Sequence, residues 1–250
     1  MTKIAYLFPG QGSQSVGMGK DLYDNFESAK AIFDSADKIL NKRITKLCFE
    51  GPEEDLKQTI NTQPAILTTS IAALEALKSK LKIKPEFTAG HSLGEYGALY
   101  EAGVLTLENA LKLIAKRAEL MSVEKGGAMA AVLGLEDSAV ENCLKEVENY
   151  VSVANYNCPG QVVITGQQNG IAKATELLTA AGAKRVMPLA VSGAFHSELM
   201  REAGESFATY LEEFSLNDAS TPVITNVDAN ITNSAEDFKS KMPKQIYSSV

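Results

Sequence analysis

Gly90-His91-Ser92-Leu93-Gly94 fits the pattern G-x-S-x-G. At that spacing a strand turns sharply into a helix and leaves a serine hydroxyl exposed at the turn. Both glycines are needed there, because a side chain at either position would meet the crossing strand or helix. The flanks agree: residues 86–89 read as a short buried strand, and residues 93–99 as the start of a helix. A serine so placed can attack an acyl carbonyl once a base takes its proton. For the pentapeptide by itself, a glycine-rich turn without chemistry is the alternative.

The usual base is histidine, whose pKa lies near working pH. The chain has 2 histidines, His91 and His196. His91 adjoins the serine, where neighbouring side chains diverge, so it is expected to pack or hydrogen-bond beneath the turn, with the role of base as the lesser alternative. His196, in Val191-Ser192-Gly193-Ala194-Phe195-His196-Ser197, is the base by elimination. A triad adds an acid to orient the imidazole. The only aspartate between the two residues, Asp137, begins a helix and has no clear claim. Two options stay open: a Ser-His dyad oriented by a neutral acceptor, or an acid that the sequence does not reveal.

A tetrahedral intermediate needs two N–H donors. The backbone amide of Leu93, directly after the nucleophile, supplies one. Gln11, in the loop Phe8-Pro9-Gly10-Gln11-Gly12-Ser13-Gln14, supplies the other. Nucleotide readings of this loop fail, because Ser15 stands where a dinucleotide fingerprint needs glycine and Met18 where a phosphate loop needs lysine. Arg117 has two readings: a solvated helical arginine, or a buried one that grips a substrate carboxylate through paired hydrogen bonds.

These residues need a frame. Lys3–Phe8 is predicted as a strand, 21–40 as largely helical, and 62–77 as a helix beginning at Thr62-Gln63-Pro64-Ala65. Thr106 caps a helix running to Val123, with Leu107, Ala110, Leu111, Ile114 and Ala118 on one face. Short strands alternating with long helices predict an α/β fold with a mostly parallel sheet. From Gly126 the pattern becomes strand (128–135), helix (136–149), strands (151–155 and 161–165), helix (171–181) and strand (184–190). Asn157-Cys158-Pro159-Gly160 forms the tight connection between the middle strands. The β-α-β-β-α-β order is that of a ferredoxin-like insertion, residues 126–192, in a core of 1–125 and 193–250. Helix is expected again over 197–214, and a strand over 221–227.

Composition narrows the function. A net charge of −7 argues against a nucleic-acid binder. Cys48, Cys143 and Cys158 form no C-x-x-C pair, so neither a metal nor a redox site is expected. No apolar run approaches the roughly 20 residues of a membrane span. The first apolar run stops at Pro9-Gly10, too short for a signal peptide. A soluble, cytoplasmic protein is expected.

Together these segments resemble malonyl-CoA:acyl carrier protein transacylase, the acyltransferase family of fatty acid and polyketide synthesis. The resemblance runs through Phe8–Gln14, Gln63-Pro64-Ala65, Gly90–Glu95, Arg117 with Leu120-Met121, Asn155 with Asn157 and Pro159-Gly160-Gln161, and Ala194-Phe195-His196-Ser197. It implies an α/β-hydrolase-like core and a malonyl ester on Ser92, with His196 as base and then acid. It implies an oxyanion hole of Gln11 and Leu93, and Arg117 on the malonyl carboxylate. Gln63, Phe195, Asn155 and Gln161 join the substrate site, with Phe195 marking the malonyl-selective form. The carbonyl of Gln245 orients the histidine. Malonyl-CoA and acyl carrier protein are the implied partners; the phosphopantetheine belongs to the carrier, and no cofactor of the chain's own is implied. Relatives continue with a Val-Arg-Trp segment, further helices and a late strand. Ending at Val250, the chain is therefore expected to be a shortened form, with apolar surface exposed and the Gln245 carbonyl poorly anchored. The alternatives are a serine thioesterase or esterase, and a non-catalytic fragment that binds carrier protein.

Overall fold

The computed structural model describes residues 3–123, 126–191 and 193–250. Ser192, and Glu124 with Lys125 beside the expected boundary at 126, lie outside the described residues. In chain order the elements are β1 (Ala5–Phe8), α1 (Lys20–Asn25), α2 (Glu27–Leu40), α3 (Ile44–Glu50), α4 (Glu53–Leu56), α5 (Thr59–Lys80) and β2 (Phe87–Gly90). A 3-10 turn (Ser92–Gly94) leads into α6 (Glu95–Glu101), followed by α7 (Leu107–Val123), β3 (Gly127–Leu133), α8 (Asp137–Leu144), β4 (Val151–Cys158) and β5 (Gln161–Gln167). Then come α9 (Gln168–Ala180), β6 (Arg185–Pro188), a 3-10 turn (Glu198–Met200), α10 (Arg201–Leu211), β7 (Val223–Ile224), β8 (Ile231–Thr232) and α11 (Ala235–Gln245). By packing, the chain divides into one compact unit of Met1–Glu119 with Thr209–Lys241, and a second of Leu120–Ala208 with Met242–Val250.

In the first unit the sheet order is β1-β2-β7-β8, with β1, β2 and β7 parallel and β8 antiparallel to β7. The β1–β2 register pairs Phe8 with Gly90, so both strands end at the same level. The loops after them, one bearing Gln11 and the other Ser92, therefore leave the sheet side by side, at the carboxyl ends where α/β sheets bind ligands. The cap on α7 is as expected: Thr106 Oγ1 accepts the Asn109 amide at 3.1 Å. Its inner face buries Ala110, Leu111, Ile114 and Ala118 fully, while Leu107 stays half-buried.

In the second unit the segment from β3 to β6 has the expected strand and helix order. It folds into an antiparallel sheet, β4-β5-β3-β6. Ala130, Val132, Val153, Val162 and Ile164 pack from the strands against Val140, Leu144, Ile171, Ala174 and Leu178 of α8 and α9. Gly160 turns the β4–β5 hairpin at φ 76°, a left-handed value that glycine adopts without strain. Pro188 lies in β6, an edge strand, where its missing N–H costs no ladder bond.

Several boundaries differ from expectation. Helix α5 starts at Thr59, ahead of the expected Thr62, and carries Pro64 inside it. The 136–149 helix closes at Leu144, and α3, α4 and α11 carried no recognised signal. The strand expected over 221–227 is cut to Val223–Ile224, because Thr225 to Asn230 close into a turn.

Candidate active site

The serine elbow is built by strand β2. The His91 amide still donates to Phe8 O at 3.0 Å, in register with the sheet, and the next residue breaks away. Ser92 stands at φ 52°, left-handed backbone that a non-glycine residue adopts at a cost. The glycines have the reason expected for them. A Cβ on Gly90 would overlap the backbone of Gly94 and Glu95, and one on Gly94 would overlap Phe8 O and lie 2.7 Å from Pro9 O. The expectation that His91 packs beneath the turn is corrected: the residue is exposed, its ring beside Gly10.

A residue that the sequence did not flag braces this turn. Asn226, after β7, accepts the Ser92 amide at 2.8 Å and donates from Nδ2 to Gly90 O at 2.7 Å. Its own amide donates to buried Glu95 Oε2 at 2.6 Å. The only available signal was an asparagine in a polar turn just after a buried strand.

Arg117 is fully buried, which excludes the solvated reading. Nη1 donates to Gln63 Oε1 at 2.8 Å and Nη2 to Ser92 Oγ at 2.9 Å, with the guanidinium 5.9 Å from the Tyr96 ring centroid. Burial pulls its pKa below the ordinary value, and Tyr96 and Glu95 act in the opposite direction. A guanidinium keeps its charge regardless, so this is a fixed cation one hydrogen bond from the serine. Gln11, on the neighbouring loop, donates from Nε2 to Thr59 Oγ1 at 3.3 Å, one turn before Gln63 on α5. The Leu93 amide lies in the first turn of the helical run, where N–H groups have no intrahelical acceptor.

The second unit carries His196, buried and at φ 57°. Nδ1 lies 2.8 Å from Gln245 O, and the backbone amide donates to Ile246 O at 3.2 Å. A carbonyl can only accept, so Nδ1 carries the proton and Nε2 is left as the basic nitrogen. The position explains the acceptor: Gln245 closes α11, and the last carbonyls of a helix have no intrahelical donor. The expectation that this carbonyl is poorly anchored is corrected. Gln245 is buried, and the segment after it is tied to β4 by Val250 N to Ala154 O and Tyr156 N to Val250 O, both at 2.8 Å. Asn155 lies between those two bonds and is buried, as is Phe195. Gln161 stands apart, exposed at the hairpin end, accepting from Cys158 Sγ at 3.5 Å. The first unit thus gathers Gln11, Gln63, Ser92, Leu93 and Arg117. The second gathers Phe195, His196, Gln245 and Asn155.

A serine on a strand-to-helix turn, with a buried cation at its hydroxyl, suits transfer of acidic acyl groups. The chain matches the acyl transferase domain over residues 5–246. It is 50% identical over 256 residues to the malonyl CoA-acyl carrier protein transacylase of Bacillus subtilis (strain 168), an alignment covering 100% of this chain and 80% of that one. It is 46% identical to the protein of that name from Staphylococcus aureus (strain MRSA252), covering 100% and 82%. Among solved structures it resembles a malonyl-transacylase in complex with a type II PKS acyl-carrier protein, with TM-score 0.96, 40% identity and coverage of 100% and 82%. An acyl carrier protein S-malonyltransferase from Vibrio cholerae gives TM-score 0.96 and 41% identity, covering 100% and 83%. The chain belongs to the malonyl CoA-acyl carrier protein transacylase family.

Proposed function

We propose that the chain moves a malonyl group from malonyl-CoA to the phosphopantetheine thiol of acyl carrier protein, through an ester on Ser92. His196 takes the Ser92 proton at Nε2 as Oγ attacks the thioester carbonyl. The amides of Leu93 and Gln11 receive the oxyanion. The thiolate of CoA leaves with the proton that His196 returns. The carrier thiol then gives its proton to His196 and attacks the ester, and collapse returns the proton to Ser92. Gln245 O holds the imidazole in the tautomer this requires, and the negative end of α11 favours the transient imidazolium.

The observation that carries this reading is Arg117 at the serine hydroxyl. A malonyl carboxylate is one methylene from the carbonyl under attack, so a cation this close suits a short diacid. Gln63 orients the guanidinium. Phe195 and Asn155, both buried in the second unit, are the further substrate-binding candidates; Gln161, exposed at the hairpin end, has no support from the geometry. The first sheet serves as an α/β-hydrolase-like core of residues 1–125 and 193–250, and 126–192 is a ferredoxin-like small domain. The antiparallel β4-β5-β3-β6 order supports that description. The enzyme works in the cytoplasm and needs no cofactor of its own.

Initial rates with malonyl-CoA and holo acyl carrier protein test the acyl-enzyme. Varying both should give parallel double-reciprocal lines. Intersecting lines would mean direct transfer and overturn the serine ester.

A further inference from the structure

We infer that Asn226 is a positioning residue for the nucleophile. It locks the Ser92 elbow in its left-handed conformation and occupies the serine's own amide. The inference rests on the reading of Ser92 as nucleophile.

A non-glycine residue persists at positive φ only where its surroundings over-determine it. At Ser92, at φ 52°, Asn226 does so from both sides. Its Oδ1 accepts the Ser92 amide at 2.8 Å and its Nδ2 donates to Gly90 O at 2.7 Å. Each partner can play only one role, so the amide orientation is unambiguous. One side chain thus ties the residue that ends β2 to the residue that begins the turn.

The brace is itself held. The Asn226 amide donates to the Glu95 carboxylate at 2.6 Å. Asn226 belongs to the turn after β7, closed by Thr225 N to Asn230 O at 3.1 Å and Ala229 N to Thr225 O at 3.0 Å. Asp228 Oδ1 accepts from Thr225 Oγ1 at 2.9 Å and Asn230 N at 3.2 Å, and Lys241 pairs with Asp228 at 2.9 Å. Because β7 runs beside β2, with Ala89 opposite Ile224, both turns leave the sheet together. Asn226 also keeps the Ser92 amide engaged, which reserves the oxyanion for the next amide, Leu93.

The test is single-turnover acylation by malonyl-CoA for wild type, Asn226→Ala and Asn226→Asp, with folding checked by thermal melt. Misplacing a reacting atom by about 1 Å can cost about 100-fold. Asn226→Ala should therefore lose about 100-fold in acylation rate, with KM for malonyl-CoA within about threefold. Asn226→Asp keeps an acceptor for Ser92 N–H but turns a carboxylate oxygen toward Gly90 O in place of the donor, so a loss of at least about 10-fold is expected. It has nearly the shape of asparagine and decides the question if the alanine variant does not fold. A folded variant with the wild-type acylation rate, or a loss carried by KM alone, overturns the inference. A fluorophosphonate, which needs only a reactive serine, is run in parallel. If wild type reacts with it and not with malonyl-CoA, the proposed function fails, and the variants' fluorophosphonate rates still judge Asn226. Wild type inert to both reagents overturns both.

Discussion

Arg117 Nη2 lies 2.9 Å from Ser92 Oγ, so a buried cation and the proposed nucleophile are hydrogen-bonded neighbours although 25 positions apart in sequence. A carboxylate that pairs with this guanidinium must sit next to the serine. The acyl carbon it brings can then be only a bond or two away. Recognition of the acid and placement of the carbonyl become one event.

Arg117→Ala tests this coupling. Hydrogen bonds to charged groups contribute about 1.5–3 kcal/mol. Loss of about 10- to 100-fold in kcat/KM for malonyl-CoA is expected, with acetyl-CoA, which has no carboxylate, used as well as before or better. An unchanged preference between the two thioesters would remove Arg117 from recognition.

Gly90→Ala probes the elbow itself. The new Cβ would overlap the backbone of Gly94 and Glu95, which cannot swing aside as a side chain would. A loss of about 3 kcal/mol or more is expected in urea unfolding. Gly182→Ala is the control. At φ 98° with nothing within 4 Å, it should cost only left-handed strain, about 1–2 kcal/mol. Equal losses would mean that crowding at Gly90 is not what demands glycine.

Asp228 gives a pH signature. Burial pushes its pKa up, but hydrogen bonds from Lys241, Thr225 and Asn230 outweigh burial and hold it at about 2, below its ordinary 3.8. A depressed carboxylate adds stability above its unfolded pKa and loses it as pH falls through the folded value. Asp228→Asn should therefore cost about 1 kcal/mol at neutral pH, a modest figure because the side chain is partly solvated. The gap from wild type should close between about pH 4 and about pH 2. A gap independent of pH in denaturant melts would refute the charge-based account.

The thiols should separate by burial. Burial pushes Cys48 up to about 12, whereas Cys158 is exposed at the hairpin turn. Native alkylation with iodoacetamide near pH 8 should modify Cys158 and leave Cys48 intact until the protein unfolds. Peptide mapping that finds Cys48 modified first would contradict the packing around it.

What could be read from the sequence was local. The elbow, the Thr106 cap and the β3-to-β6 order each follow from residues a few positions apart. Helices α3 and α4 are short, and α11 contains Pro243, which disguises its pattern. Helix α5 begins at Thr59, ahead of the expected Thr62, so Pro64 sits beyond the first turn that proline favours. Arg117 was a candidate whose burial periodicity could not decide. Asn226 was invisible, because its partner Ser92 lies 134 positions away and the two meet only once β7 settles beside β2.

The central claim is a malonyl ester on Ser92. Intact-protein mass spectrometry after mixing with malonyl-CoA tests it most directly. The account predicts a single malonyl adduct, absent in Ser92→Ala, formed at least about 100-fold more slowly in His196→Ala, and discharged by holo acyl carrier protein. A folded protein that forms no adduct, or an adduct that persists in Ser92→Ala, would contradict it.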